Sequence, residues 1–538
     1  MTTTTPPTDL VTVTIDGKEH QFPKGTVLLE ACNAVGADVP FFCYHAGLSS
    51  PAVCRQCLVD VKGQPKPVPS CYTPVADKME VMTRSPRALD VRRQMLEFTL
   101  VNHPIDCPIC DKAGECLLQK QYFDWDAKLA RNDGMKVHKA KVVDLGPTIV
   151  LDQERCILCT RCTRFLDEVT GTGELGVFQR GDHCSIDLFP ERRLDNHYSG
   201  NVADICPVGA LTNKDFRFRA RVWYLDHTPS ICTSCATGCN IDIHHRRGEV
   251  FRFRPRHNPE VNQYWMCDEG RLSYKRVQGE GRLLQPVVRD GAGWAVRGWP
   301  EARTEVVSKL RDALATHGAG AIAGIVSAHA TNEEIFLFER LLRDAVGGSL
   351  SGLAWSPPDA LSDTFLIDAD KNPNAAGLRL LTSGAQSVED LVQQARDGAL
   401  RVLLLLRADL EPPFGSAILD ALGEEIGCVV VLDTHFSSTA EIADVLLPIA
   451  TFAESDGTFV NRANRVQRVR QAIAPPAQVR AGWQVLSELL ADVQGFSVPV
   501  DASAVFTEIA AAHTGFRHLS YARLGEQGSP LDQPATAT

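Results

Sequence analysis

The chain is 538 residues long, and at roughly 150 residues per domain that length excludes a single compact module. Hydrophobic residues make up 44% and charged residues 22%, a globular balance that excludes global disorder and a long coiled coil. The net charge of −11 argues against a partner held mainly by its phosphates. No run approaches the ~18–20 apolar residues of a membrane span, and residues 321–326 and 402–406, the greasiest, are strand-sized. The N-terminus lacks the basic and apolar regions of a secretory signal, so a reducing cytoplasm is the expected setting.

Seventeen of the 18 cysteines lie in the first 270 residues and only Cys428 lies beyond. Most stand two or three residues from another, which is ligand spacing and not a disulfide framework. Residues 1–9 are expected to be disordered. The alternation of Val11, Val13 and Ile15, the Asp16-Gly17 turn and residues 19–22 predict a β-hairpin, and 26–35 a helix ending at Gly36. Cys43, Cys54, Cys57 and Cys71 follow as C-x10-C-x2-C-x13-C. Three ligands on one loop and a fourth on a later segment is the logic of a [2Fe–2S] ferredoxin, with a longer first loop than the plant type.

A charged helix predicted over 86–101 leads to His103, Cys107, Cys110 and Cys116, where one imidazole and three thiolates suit a [4Fe–4S] cluster or a tetrahedral zinc alike. Cys156, Cys159 and Cys162 form the C-x2-C-x2-C triplet of bacterial ferredoxins, and Cys206, followed by Pro207, supplies a remote fourth ligand. Cys232, Cys235, Cys239 and Cys267 lack the paired knuckles of a zinc ribbon and read as a further cluster set. Fifteen cysteines and one histidine thus complete four sets of four. Cys32, Cys184 and Cys428 are left over and read as buried thiols.

Beyond 280 the pattern turns to α/β. Residues 321–326, 402–406 and 429–432 read as buried strands of a mostly parallel, Rossmann-like sheet. Thr331 reads as an N-cap with Glu333 and Glu334 in the first turn, and 335–346 as apolar at helical spacing before Gly347-Gly348. Gly318-Ala-Gly320 precedes a strand, which makes it a turn and not a nucleotide loop. The tail from 524 to 538 is polar and is expected to be disordered.

These motifs resemble the family of the large iron–sulfur subunit of respiratory complex I, the G subunit of NADH-quinone oxidoreductase and its 75 kDa relatives. The resemblance rests on Pro40-Phe-Phe-Cys43-Tyr44 with Ala52-Val-Cys54-Arg55-Gln-Cys57. It rests also on Cys107-Pro-Ile-Cys110-Asp-Lys-Ala-Gly-Glu-Cys116, with Ala113 where the family has Gly or Ser, and on the run from Arg155 to Phe165, with Thr163 where an aliphatic residue is usual. It covers residues 10–270. The implied fold is multidomain α/β: a β-grasp [2Fe–2S] ferredoxin-like domain over 10–85, a [4Fe–4S] segment with one histidine and three cysteine ligands over 86–145 and a [4Fe–4S] ferredoxin-like domain over 146–224. A [4Fe–4S] domain of molybdopterin-oxidoreductase type follows over 225–280, then a shortened molybdopterin-oxidoreductase-like α/β domain over 281–523, in which 440–448, 454–458 and 461–467 fit that fold's pattern.

The implied activity is electron transfer in the peripheral arm of complex I, at the cytoplasmic face of the cell membrane. Electrons would come from a flavin- and NADH-binding subunit to the [2Fe–2S] cluster of Cys43, Cys54, Cys57 and Cys71. They would pass to the [4Fe–4S] cluster of Cys156, Cys159, Cys162 and Cys206, then to that of His103, Cys107, Cys110 and Cys116. A two-cluster ferredoxin-like subunit and the quinone-site subunits would follow. The cluster of Cys232, Cys235, Cys239 and Cys267 is implied to lie off this path. Neither FMN nor molybdopterin is expected here: 271 residues follow Cys267, no cysteine lies between it and Cys428, and Glu269-Gly270-Arg271 stands where molybdopterin enzymes carry Lys-Gly-Arg. Two alternatives stay open on sequence: another redox assembly, such as an NAD-linked hydrogenase or formate dehydrogenase, and a zinc-structured binding protein, against which the triplet with its remote Cys-Pro speaks.

Overall fold

The computed structural model describes residues 9–125, 131–132, 134–291, 293–382 and 385–531, in two compact units that divide between Tyr224 and Leu225. The parts of the expected terminal disorder that fall on 1–8 and 532–538 lie outside the described residues.

The first unit begins with β1 (Leu10–Ile15) and β2 (Lys18–Pro23), antiparallel across the Asp16-Gly17 turn. Both turn residues have positive φ, 48° and 84°, the left-handed pair that a two-residue hairpin needs and that Asp-Gly tolerates. α1 (Leu28–Ala34), β3 (Leu58–Val61), β4 (Val68–Pro69) and β5 (Met79–Met82) complete a five-stranded sheet of order β2-β1-β5-β3-β4. Val13, Ile15, Val59 and Val81 from the sheet bury against Leu28, Leu29 and Ala31 of α1, which is the β-grasp arrangement. α2 (Pro86–Leu100) starts where expected, with the Ser85 side chain accepting from Ala88 N at 3.0 Å and Pro at the first helical position. α3 (Leu117–Trp125), β6 (Val143–Asp144), β7 (Ile149–Leu151), α4 (Arg161–Glu168), β8 (Leu175–Phe178), β9 (Ser185–Leu188), α5 (Asn201–Ile205) and β10 (Leu211–Asn213) follow. β10-β7-β6 form one small sheet and β8-β9 a hairpin.

The second unit opens on a three-stranded meander, β11 (Asp226–Ile231), β12 (Asn240–Arg246) and β13 (Glu249–Pro255), followed by α6 (Asp268–Leu272). Its main sheet contains β14 (Val287–Asp290), β15 (Gly293–Val296), β16 (Ile322–Ser327), β17 (Ser349–Leu353), β18 (Val402–Leu406), β19 (Cys428–Asp433) and β20 (Val445–Pro448), in the order β15-β14-β20-β19-β18-β16-β17. The run from β20 to β17 is parallel and the β14-β15 edge antiparallel. β18 is buried at every position, as a strand covered on both faces must be. α7 (Trp299–His317) precedes β16, and α8 (Asn332–Glu339) follows it. α8 carries a full capping box between Thr331 and Glu334. The apolar spacing over 335–346 predicts one helix, but Arg340–Ala345 widens into a π turn. That turn delivers Gly348 to a place where a Cβ would lie 2.6 Å from Ile322 O.

β21 (Gly457–Val460), β22 (Arg465–Val469) and β23 (Ser529–Pro530) form a last small sheet. The expectation of disorder from 524 is therefore corrected for 524–531. Ser529 and Pro530 pair with Val466 and Arg465, and the carbonyls of Glu526 and Gln527 accept from the buried amides of Asn240 and Asn258 at 2.9 and 3.0 Å. The main chain of that segment, and not its polar side chains, makes these hydrogen bonds, which hold it in place. No described helix is long and apolar enough to cross a membrane.

Candidate metal centres

The first set sits on the loops between α1, β3 and β5. Positive φ at Ala52 (52°) and Arg55 (53°) turns the chain on either side of Cys54. The thiols touch in sequence: Cys43 with Cys54 and Cys71, and Cys71 with Cys57. Those contacts hold Cys43 and Cys57 below the usual thiol range and push their partners Cys54 and Cys71 above it. Four thiols sharing protons in this way form a donor set suited to iron, which deprotonates them outright.

His103, Cys107, Cys110 and Cys116 line one small cavity together with Gln119, Arg155 and Gly209. Burial and the nearby cations hold the His103 imidazole down at about 4, so it is neutral and able to donate a lone pair. Its Nδ1 is buried without a hydrogen-bond partner, an orphan that a ligand role would explain. Gly209 matters here by its size, since a Cβ at that position would lie 2.2 Å from Cys110 Sγ. Gly209→Ala is accordingly expected to lose this centre while the others remain, visible as a missing tetranuclear component in the electron paramagnetic resonance (EPR) spectrum.

Cys156, Cys159, Cys162 and Cys206 surround a second small cavity, walled by Leu151, Ile157, Ile186, Val208 and Leu211. Positive φ at Leu158 (55°) and Thr160 (58°) folds the triplet into a tight loop, and Leu158 N donates to Cys156 Sγ at 3.4 Å. Burial pushes Cys156 up to about 12 and Cys159 to about 11. The fourth set bridges the β11–β12 turn, where Cys232 N donates to Cys239 O at 2.8 Å, and the start of α6, where Cys267 Sγ accepts from Gly270 N at 3.3 Å. All four of its cysteines are buried. A Cβ on Gly270 would come within 2.8 Å of Cys232 Sγ. Among the described residues no three His, Cys, Asp or Glu side chains close tightly enough to grip a single ion; the second and third sets instead ring open volumes.

Short connections join the sets of the first unit. Pro207 O, one residue past Cys206, accepts from Leu117 N, one residue past Cys116, at 2.9 Å. Arg155, beside Cys156, pairs with Asp106, beside Cys107, at 2.9 Å. Arg164 on α4 donates to Cys43 O at 2.5 Å. The spacing of cysteines gives no hint of Arg155, Arg164 or Gly209, whose roles depend on contacts between distant segments. Of the leftover thiols, Cys32 and Cys428 are buried, each pushed up to about 12 by burial. Cys184 is only half-buried, a correction explained by its place at the exposed turn leading into β9.

Family models match along the chain: a 2Fe-2S iron-sulfur cluster binding domain over 8–86, the NADH-ubiquinone oxidoreductase-G iron-sulfur binding region over 92–128, and the ferredoxin-like domain of NADH-quinone oxidoreductase subunit 3 over 146–212. The molybdopterin oxidoreductase Fe4S4 domain matches 225–279 and molybdopterin oxidoreductase 372–492. The chain is similar to the G subunit of NADH-quinone oxidoreductase from Streptomyces coelicolor, 39% identical over 344 residues, which is 63% of this chain and 40% of that protein. It is 39% identical over 373 residues to the NADH-ubiquinone oxidoreductase 75 kDa subunit of Reclinomonas americana, 68% of this chain and 53% of that one. With the mitochondrial NADH dehydrogenase [ubiquinone] iron-sulfur protein 1 of Solanum tuberosum it shares 44% identity over 311 residues, 57% and 40% of the two chains. The matches thus span about half or less of these relatives' length.

Proposed function

We propose, from the premise that the chain belongs to the family of the NADH-quinone oxidoreductase G subunit and its 75 kDa counterpart, that it carries electrons from a flavin-bearing, NADH-oxidising subunit towards quinone. Cys43, Cys54, Cys57 and Cys71 would hold a [2Fe–2S] cluster. Three [4Fe–4S] clusters would sit on His103, Cys107, Cys110 and Cys116, on Cys156, Cys159, Cys162 and Cys206, and on Cys232, Cys235, Cys239 and Cys267. When bound, such clusters accept and release single electrons without breaking bonds.

The observation that carries this reading is the order of contacts in the first unit. The first set touches the third through Arg164, and the third touches the second through Pro207 and Arg155. That order supports a path from the binuclear site through the triplet site to the His103 site, and from there to a two-cluster ferredoxin-like subunit. The fourth set belongs to the second unit, and we assign it a stabilising role. Membrane attachment at the cytoplasmic face would come through the assembled complex.

We infer that the second unit binds no pterin, because the charged side chains at the place where one would sit are already paired with one another. Chain order reverses between β16 and β18, and the crevice beyond such a switch point, with a helix N-terminus at its floor, is where an α/β sheet binds anions. Here the chain's own paired charges, Glu334 with Arg407 and Glu269 with Lys371, line the open volume at that place. Glu334 accepts from Thr331 N at 3.0 Å and from Arg407 at 2.7 and 2.9 Å, and Glu333 accepts from Thr458 N, Thr458 Oγ1 and Tyr521 OH at 2.8–2.9 Å. Glu269 pairs with Lys371 at 3.0 Å.

The test is iron, zinc and molybdenum per chain on anaerobically prepared protein, with low-temperature EPR after reduction. About fourteen iron atoms, with binuclear and tetranuclear signals and no molybdenum, is the expected result for one two-iron and three four-iron clusters. Stoichiometric zinc with little iron, once loss of clusters during preparation is excluded, would overturn the proposal. The neutral ligand at His103 carries a prediction of its own. Relative to a thiolate it removes negative charge and raises the potential, so His103→Cys should lower the midpoint potential of that site alone in an EPR-monitored redox titration.

A further inference from the structure

The helix that begins within the cysteine triplet presents one face to the loop that carries Cys43. Arg161, Arg164 and Glu168 are spaced i, i+3, i+7 on α4 and so share a side, and each holds the 43–50 loop. Arg161 donates to Tyr44 O. Arg164 donates to Cys43 O at 2.5 Å and to Ser49 O. Glu168 accepts from Ser49 N at 2.8 Å and from Ser49 Oγ at 2.5 Å. The same helix contains Cys162, and Arg161 donates with its other nitrogen to Ile205 O at 2.9 Å, next to Cys206. Three side chains thus bind a ligand loop of the first set to the helix of the third.

Two of the three are cations. Arg161 is 5% exposed, and the thiols of Cys159, Cys206 and Cys43 are its leading electrostatic partners. A desolvated guanidinium beside thiols of two different sets favours whichever state of those sets is more negative, and its charge is felt strongly because little water screens it.

We propose that this face of α4 is the positioning element between the binuclear and triplet sites, setting their separation and, through Arg161 and Arg164, favouring the reduced form of both. The inference rests on the electron-carrying reading above. One electron leaves the binuclear site as one arrives at the triplet site, and no proton or covalent bond moves at α4. Its residues act only through geometry and charge. Nothing in the cysteine pattern requires such a face, because a loop and a helix could each hold a cluster without being fastened together.

The experiment uses the 538-residue chain reconstituted with iron and sulfide under argon, in wild-type form and as Arg164→Gln, Arg164→Lys and Glu168→Ala. Two readouts are taken: the midpoint potentials of the two sites, and the relaxation enhancement that the reduced tetranuclear site imposes on the binuclear EPR signal, which reports their separation. Arg164→Gln is expected to lower both potentials and weaken the enhancement. Glu168→Ala, which loosens the grip without removing a cation, is expected to weaken the enhancement without lowering the potentials. Arg164→Lys should keep the potentials near wild type. Should Arg164→Gln fail to fold, the Glu168→Ala and Arg164→Lys pair still decides the matter. Unchanged potentials and unchanged enhancement in folded, fully loaded variants would overturn the positioning role and leave the electron-carrying reading standing. Absence of both signals in the wild-type protein would instead overturn that reading itself.

Discussion

On the proposed electron path, Cys159→Ala is expected to abolish electron flow from flavin to quinone in the assembled complex, with NADH-to-quinone turnover falling to background. The residue stands at the centre of the triplet loop, 8% exposed, and its site is the one that contacts both the first and the second sets. Removing it takes a ligand from the site that those short connections place next to both of the others. Cys239→Ala removes an equally buried thiol from the second unit and is expected to lower stability while turnover of the complexes that do assemble persists. The comparison is made by turnover per assembled complex and by thermal unfolding. Assembled complexes that lose turnover on Cys239→Ala would place the fourth set on the path.

The largest stability effect is expected at Arg407. Its guanidinium donates two hydrogen bonds to Glu334 and a third, at 2.7 Å, to Ala450 O, and the paired side chains are 12% and 2% exposed. Arg407→Met leaves a carboxylate buried without its counterion, which typically costs about 3–5 kcal/mol. The double variant Arg407→Met with Glu334→Met removes both charges and is expected to recover most of that loss. About 1 kcal/mol stays missing, because Glu334 also completes the Thr331 capping box. Denaturant unfolding of the second unit measures both. A single variant within about 1 kcal/mol of wild type would mean that water replaces the guanidinium.

Much of this architecture is written locally in the sequence. Asp16-Gly17 encodes its hairpin because few pairs accept two positive φ values, and Thr331 with Glu334 encodes a helix start because both side chains satisfy nearby backbone donors. The cysteine sets are legible for a related reason, since a loop can offer several ligands to one centre only at short spacing. What the sequence hides is long-range. Arg164 and Cys43 are 121 positions apart, and no periodicity marks Arg164 as anything but a solvated helix residue. The segment 525–531 reads as tail because it is polar and short of apolar residues, yet its order comes from Asn240 and Asn258, 286 and 269 positions before the carbonyls they bond. Cys184 follows the burial tendency of free cysteine only in part, because a turn exposes it.

Cys107 is the one thiol of the four sets that is exposed, flanked by Ile105 and Ile109 at 88% and 64% exposure. In the free chain this leaves one corner of the His103 site open to water and dissolved oxygen, whereas at the triplet site Cys159, Cys162 and Cys206 are buried among aliphatic side chains and Cys156 is half-buried. Oxygen attacks accessible sulfur first. If both sites hold iron as proposed, air exposure should therefore bleach the centres in sequence, with the His103 site losing its iron before the triplet site. A partner seated over Cys107 would slow that loss, so aerobic lifetime measured centre by centre becomes an assay for assembly.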